Sequence, residues 1–102
     1  MLKEIESGKL PVVLNSPTPF ALEFGTNGCS ECSRLSSTVE QVADTLKSIV
    51  EVYYVDVDKV PEIKDEFQVE KLPTIILFKD GKPQDTLVGY HQEREIHDFL
   101  NQ

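Results

Sequence analysis

Apolar side chains recur along the chain with two periods, one typical of strands and one typical of helices. The run Phe20–Phe24 is apolar except for a single acid, a composition typical of a strand covered on both faces. Beyond Cys32, apolar positions recur in steps of four and three, which predicts a helix of about five turns with one face in the core. The residues of that stripe are Leu35, Val39, Val42, Leu46 and Ile49.

The middle of the chain predicts a second strand followed by a short helix. Val52–Asp58 is rich in β-branched and aromatic residues, which favour strands. Asp58 is predicted to cap the next helix, because its carboxylate can accept from free N–H groups and Pro61 suits the first turn. The predicted buried stripe of this helix is Val60, Ile63 and Phe67.

The last third of the chain predicts a hairpin and a final helix. Thr74–Phe78 is a third apolar strand. The dipeptide Asp80-Gly81 is a hairpin turn signal, with a returning strand expected near Asp85–Val88. A helix is predicted over roughly Glu93–Asn101, with an apolar face formed by Ile96, Phe99 and Leu100.

The order of these elements predicts an α/β fold. A strand–helix–strand unit requires a parallel pair of strands, whereas the hairpin requires an antiparallel pair. The segment Leu2–Leu14 is expected to add an edge strand and a short helix. We therefore predict a single domain over residues 1–102, built on a mixed central β-sheet with helices on both faces.

Charge and hydropathy narrow the classes of partner. A formal net charge of −8 argues against nucleic acid and anionic membranes, because phosphate binding needs clustered Lys and Arg. Met1–Glu6 has no apolar signal core, Leu10–Leu14 is too short for one, and no run is long enough to span a bilayer. We expect a cytoplasmic location, where paired cysteines are more often catalytic or metal-binding than structural.

The only two cysteines, Cys29 and Cys32, lie where the first apolar strand gives way to the long helix. Two thiols at this spacing can alternate between dithiol and disulfide, and a helix N-terminus stabilises a thiolate. A zinc site is less favoured, because structural sites need four ligands and the only histidines are His91 and His97. An inert disulfide is a third interpretation, although so short a loop contributes little entropic stability.

Three further features accompany the cysteine motif: the segment Lys71–Thr74 before a strand, the Lys79–Lys82 hairpin, and the Gly89 that follows it. With the element order and the spacing from Cys32 to Pro73, they make the chain resemble the thioredoxin family over almost its whole length. The resemblance implies the thioredoxin fold and thiol–disulfide exchange that reduces protein disulfides without a bound cofactor. It also implies a monomer that a separate reductase or a low-molecular-weight thiol regenerates.

The resemblance assigns different roles to the two thiols. Cys29, before the helix, is expected to be the exposed nucleophile, because the helix dipole and free N–H groups favour its thiolate. Cys32, one turn into the helix, is expected to be more buried and to resolve the mixed disulfide.

The resemblance also implies a substrate surface around Pro73. The bond before Pro73 is expected to be cis, with the proline against the disulfide; the alternative is that Pro73 merely starts a strand. Leu72 and Thr74 are expected to offer backbone groups to an extended substrate segment. Gly89 and Tyr90 are expected beside the same surface, although Tyr90 is also explained as an ordinary exposed tyrosine after a strand.

The site departs from the Trp-Cys-Gly-Pro-Cys pattern common in thioredoxins. Gly28, on the expected substrate surface, replaces the tryptophan before the nucleophile, and Gly25 replaces a second common tryptophan. The charge of Glu31 opposes thiolate formation, whereas the Ser30 hydroxyl can donate to a thiolate. Glu31 is also a favourable acid for a first helical turn. The redox potential therefore does not follow from these residues.

Glu23 lies six residues before Cys29, where thioredoxins usually carry a buried aspartate. The resemblance implies that Glu23 helps deprotonate the buried thiol, since burial raises the pKa of a carboxyl. The alternative is a solvated carboxyl at an edge of the sheet. Tyr54 stands where thioredoxins often carry a lysine, so a buried Glu23 would be harder to ionise.

We expect a disulfide reductase whose catalytic residues are Cys29, Cys32, Glu23 and Pro73. The alternative from another class is a thioredoxin-fold binding or adaptor module, in which the missing tryptophans reflect lost reductase activity. An oxidant or isomerase is a further alternative, disfavoured by the absence of a signal sequence.

Overall fold

The computed structural model describes residues 2–102 and contains one five-stranded sheet. The strands are β1 (Lys3–Glu4), β2 (Phe20–Gly25), β3 (Glu51–Asp56), β4 (Thr74–Lys79) and β5 (Lys82–Val88). The helices are α1 (Leu10–Leu14), α2 (Ser30–Thr45), α3 (Pro61–Glu66) and α4 (Glu93–Leu100).

The strands lie in the order β1-β3-β2-β4-β5. The pairs β1–β3 and β2–β3 are parallel, and the pairs β2–β4 and β4–β5 are antiparallel. The mixed sheet predicted from the sequence is therefore confirmed, together with the edge strand and short helix expected near the amino terminus. The order also places β2, which leads into the cysteine motif, in the centre of the sheet.

Two hydrophobic clusters lie on opposite faces of the sheet, because successive side chains of a strand point to opposite sides. The face covered by α2 and α4 buries, among others, Ala21, Leu35, Val39, Ile75, Leu77 and Ile96. The other face, covered by α1 and α3, buries Phe20, Leu22, Phe24, Ile63, Ile76 and Phe78, among others. Glu23 alternates with Leu22 and Phe24, so its carboxyl lies on the α2 side of β2.

Two details of the predicted elements are wrong. Helix α2 ends at Thr45, with Leu46 as its C-terminal cap, so Ile49 falls in the turn that follows and is 47% exposed. Val50, one residue later, is buried instead. Asp58 does not cap α3, because Val60 occupies that position without a side-chain cap, and the Asp58 carboxylate accepts a hydrogen bond from the Thr26 hydroxyl.

The predicted hairpin turn is present, and the returning strand is longer than expected, starting at Lys82. Asp80 and Gly81 both have positive φ, at 53° and 74°, as tight hairpin turns require. A Cβ at Gly81 would lie only 2.7 Å from the carbonyl oxygen of Leu14, at the end of α1. The turn therefore packs directly against α1.

Candidate redox site

Cys29 and Cys32 form a disulfide at the amino terminus of α2, with their Cα atoms 5.2 Å apart. Cys29 is the N-cap residue in an extended conformation, and its Sγ accepts a hydrogen bond from the backbone N–H of Cys32 at 3.2 Å. Cys29 is partly exposed, whereas Cys32 is 2% exposed. The two sulfurs therefore differ in access to solvent and in contact with the helix terminus.

The backbone conformation at position 28 explains why this residue is a glycine. Its φ is +83°, a conformation that L-residues with side chains rarely adopt, and no atom lies within 4 Å of the position that a Cβ would take. The position is exposed. The tryptophan common in thioredoxins would be strained here by the backbone and not by its neighbours.

The Leu72–Pro73 peptide bond is cis, as expected, and Pro73 is buried. Because β2 and β4 are antiparallel, with Phe24 opposite Thr74, the start of β4 lies beside the end of β2 that leads to the cysteines. The N–H of Gly89 donates to the carbonyl of Pro73 at 2.8 Å. The sheet thus brings Pro73, Gly89 and the end of β2 to one edge of the molecule.

Leu72 and Thr74 differ in the access of their backbones. Thr74 is 3% exposed, is paired with Phe24 on one side and Val88 on the other, and donates its hydroxyl to the carbonyl of Lys71. Leu72 is half-buried and precedes the strand. Of the two, Leu72 leaves its backbone outside the sheet ladder.

Tyr90 follows Gly89 and is half-buried. The guanidinium of Arg34, an exposed residue of α2, lies 4.2 Å from the centre of the Tyr90 ring, which is a cation–π contact. This contact fixes the ring relative to the helix that carries the cysteines. Nothing in the sequence around Arg34 indicates this contact.

Glu23 is fully buried, so the alternative of a solvated carboxyl at an edge of the sheet is wrong. The hydroxyl of Ser36 in α2 donates to Oε2, while Oε1 is buried without a hydrogen-bond partner among the described residues. Burial raises the pKa of Glu23 to about 7, the Ser36 hydrogen bond opposes this rise, and the charge of Glu40 adds to it. The carboxyl is therefore able to exchange a proton near neutral pH.

Tyr54 in β3 lies opposite Glu23 in β2, in the parallel pair of strands. Glu23 comes two positions before Gly25 in β2. A Cβ at Gly25 would lie 2.8 Å from the Tyr54 hydroxyl oxygen and 3.3 Å from the Cβ of Cys32. The tyrosine side chain therefore occupies the space that a side chain at position 25 would need. Burial, followed by the charge of Glu23, raises the pKa of Tyr54, so its phenol stays neutral.

Two further findings concern the described part of the chain. Across residues 2–102, no group of three or more His, Cys, Asp or Glu side chains is placed to hold a metal ion. Within the same range, no helix is long and apolar enough to cross a membrane.

Comparison with known proteins agrees with this geometry. The sequence model of the thioredoxin family matches residues 10–102. The thioredoxin of Rickettsia bellii (strain RML369-C) is 35% identical over 89 residues, covering 87% of this chain and 85% of the relative. The chloroplastic thioredoxin Y2 of Arabidopsis thaliana is 39% identical over 75 residues, covering 74% of this chain and 45% of the relative.

A solved structure shows the same fold. The crystal structure of Malassezia sympodialis thioredoxin superposes with a TM-score of 0.90 at 24% identity, covering 99% of this chain and 89% of that one. The fold and the paired cysteines define a thioredoxin-fold redox protein. The chain belongs to the thioredoxin family, and its activity is that of a thiol–disulfide oxidoreductase that reduces disulfides.

Sequence reasoning missed Ser36, although a signal was available. A serine four residues after a buried cysteine lies on the same face of a helix, one turn further on. That face packs on the strand that carries Glu23, so a hydroxyl there can reach a buried carboxyl.

We expect Glu23→Gln to be more stable than the wild-type protein at pH 8 but not at pH 4. Between pH 4.5 and about 7 the folded protein retains a proton that the unfolded chain has lost, so stability falls as pH rises through this window. The neutral amide does not ionise, so the free energy of unfolding of Glu23→Gln should exceed that of the wild-type protein by up to about 3 kcal/mol above pH 7. Urea unfolding at several pH values measures it, with the exposed Glu31→Gln as control. A gain independent of pH would contradict the prediction.

We expect Gly25→Ala to destabilise the protein by about 1–3 kcal/mol, because the added methyl overlaps the Tyr54 side chain. In a Tyr54→Ala background most of this cost should disappear. A double-mutant cycle measured by urea unfolding isolates the coupling between the two positions. Equal costs in the two backgrounds would show that the Tyr54 ring is not what excludes a side chain at position 25.

Proposed function

We propose that the protein reduces protein disulfides through nucleophilic attack by Cys29 and resolution by Cys32. The observation that carries this assignment is the unequal exposure of the two sulfurs at one helix terminus. The cap position of Cys29 favours a thiolate, through the helix dipole and the N–H of Cys32. A partly exposed thiolate is accessible to a substrate disulfide.

The proposed reaction transfers two electrons in two exchanges. The Cys29 thiolate attacks one sulfur of the substrate disulfide; the other leaves as a thiolate and takes a proton from solvent. Cys32 then gives its proton to the Glu23 carboxylate and attacks Cys29 Sγ. The bond between Cys29 and the substrate breaks, the substrate is released as a second thiolate, and Cys29–Cys32 is left oxidised.

The proposed substrate surface surrounds Cys29. Leu72 offers backbone groups to an extended segment, while Thr74 and Pro73 hold the loop, because Thr74 is enclosed within the sheet. Gly28 leaves the approach to the nucleophile open. Gly89 is attached to Pro73, and the Tyr90 ring provides an apolar contact steadied by Arg34.

We further propose that the protein acts as a monomer in the cytoplasm and is regenerated by a separate reductase or a low-molecular-weight thiol. Its acidic charge and the thioredoxins among its relatives support this setting, although those relatives include chloroplastic proteins. No bound cofactor is needed, because both electrons come from the two thiols.

Dithiothreitol-driven reduction of insulin tests the two sulfur roles. Cys29→Ser should reduce turnover to the uncatalysed background, because the attacking thiolate is lost. Cys32→Ser should also lose efficient turnover; when it is reduced beforehand and mixed with insulin without dithiothreitol, it should retain a mixed disulfide that is visible on non-reducing gels. Wild-type turnover no faster than that of Cys29→Ser would contradict the reductase assignment and favour an adaptor. Trapping by Cys32 in place of Cys29 would reverse the assigned roles.

Glu23→Gln should slow insulin reduction by about tenfold or more at pH 7, because the amide cannot accept the Cys32 proton. The deficit should narrow towards pH 9, where solvent base removes that proton. Near-ultraviolet circular dichroism and the urea midpoint establish that the fold is intact. Rates equal to wild type across pH 6 to 9 would exclude the proton-transfer role.

A further inference from the structure

We infer that Ser36 is a positioning residue for proton transfer at Cys32, with its hydroxyl orienting the Glu23 carboxyl and connecting it to a solvent-open pocket behind the disulfide. The inference rests on the proposed role of Glu23 as the proton acceptor. It adds a route by which the proton leaves.

Helix α2 places Ser36 between the thiol and the acid. Ser36 lies four residues after Cys32, so the two side chains are neighbours on one face of the helix, about 5–6 Å apart between their Cβ atoms. Cys32 is buried, and Ser36 is half-buried. The Ser36 hydroxyl donates to Oε2 of Glu23, which brings the carboxyl to the turn of α2 that follows the thiol.

A pocket of about 340 Å³ opens behind the disulfide, lined in part by Thr26, Asn27, Cys32, Ser33, Ser36 and Tyr54. Glu23 does not line the pocket. Ser36 both donates a hydrogen bond to the buried carboxyl and lines the pocket, so its hydroxyl can connect the two. Solvent in the pocket can therefore exchange protons with Glu23 through this hydroxyl.

The surroundings make the carboxyl dependent on Ser36. Its other oxygen, Oε1, has no hydrogen-bond partner in the described part of the chain. The titratable groups that face this region are Cys32 and Glu40 from α2, Tyr54 from β3 and Glu4 from β1. No Lys or Arg of residues 2–102 lines the pocket, and both burial and the charge of Glu40 oppose ionisation of Glu23. The Ser36 hydrogen bond therefore favours the ionised acid.

One proton leaves the Cys32 thiol in the resolving step. The Cys32 thiol gives its proton to the Glu23 carboxylate as Cys32 Sγ bonds to Cys29 Sγ and the substrate leaves as a thiolate. Once the carboxyl is protonated, the Ser36 hydroxyl turns from donor to acceptor: its oxygen accepts the carboxyl proton while its own proton passes to solvent in the pocket. Ser36 is unchanged at the end, and one proton has moved from Cys32 to solvent.

Single-turnover resolution of a mixed disulfide, followed from pH 6 to 9, tests this role. Ser36→Ala should slow resolution about tenfold at pH 7 and move the rising limb of the pH profile to higher pH, because the ionised acid loses its donor. Ser36→Thr, which keeps a hydroxyl, should restore most of the rate and the original profile. Ser37→Ala, at the next and exposed helix position, is the matched control and should match wild type. Alanine favours helices, so Ser36→Ala and Ser37→Ala should fold; the urea midpoint of Ser36→Thr checks that its added methyl is tolerated.

A Glu23→Gln background separates this inference from the proposed function. Ser36→Ala should have no further effect there, because the hydroxyl acts through the acid. An unchanged pH profile for Ser36→Ala, or an equal slowing in both backgrounds, would overturn the role of Ser36 alone. If Glu23→Gln itself leaves the profile unchanged, the proton-acceptor role of Glu23 fails and the inference fails with it.

Discussion

Burial of one carboxyl, that of Glu23, is the constraint on which the arrangement around the disulfide depends. An ionised carboxyl is costly away from water unless it is hydrogen-bonded or paired. Here the central strand places it beneath α2, with the Ser36 hydroxyl as its donor and Glu40 as a charged neighbour. Burial therefore raises the pKa of Glu23 to about 7, so that its carboxyl gains or loses a proton near neutral pH.

Two departures from common thioredoxin sequences, Gly25 and Tyr54, are in contact in the structure. Gly25 stands in place of a tryptophan and Tyr54 in place of a lysine, and the structure shows that the tyrosine side chain lies over the glycine. A tyrosine in this position therefore leaves no room for a side chain at position 25. The aromatic bulk beside the buried sulfur is supplied from β3 instead of β2, and a neutral phenol takes the place of a cation near the acid.

The sequence predicted the strands, the helices and the redox motif because each is encoded in local periodicity and spacing. It failed where a residue's partner is remote along the chain. Asp58 has the composition of a helix cap, but its carboxylate bonds to Thr26, and the end of α2 moved Ile49 out of the core in favour of Val50. The link from Ser36 to Glu23 joins a helix to the sheet beneath it. The spacing of Ser36 from Cys32 indicates the helix face, but only the packing of α2 on β2 pairs the hydroxyl with the acid.

The disulfide has two sides that face different surroundings. Cys29 is partly exposed and follows the exposed Gly28, whereas Cys32 lines a pocket that Cys29 does not line. In the proposed reaction, disulfide exchange with the substrate therefore takes place at Cys29, whereas the proton leaves through the pocket beside Cys32. A protein substrate that covers Cys29 leaves the pocket beside Cys32 open to solvent. In the proposed reaction the proton can therefore leave before the substrate dissociates.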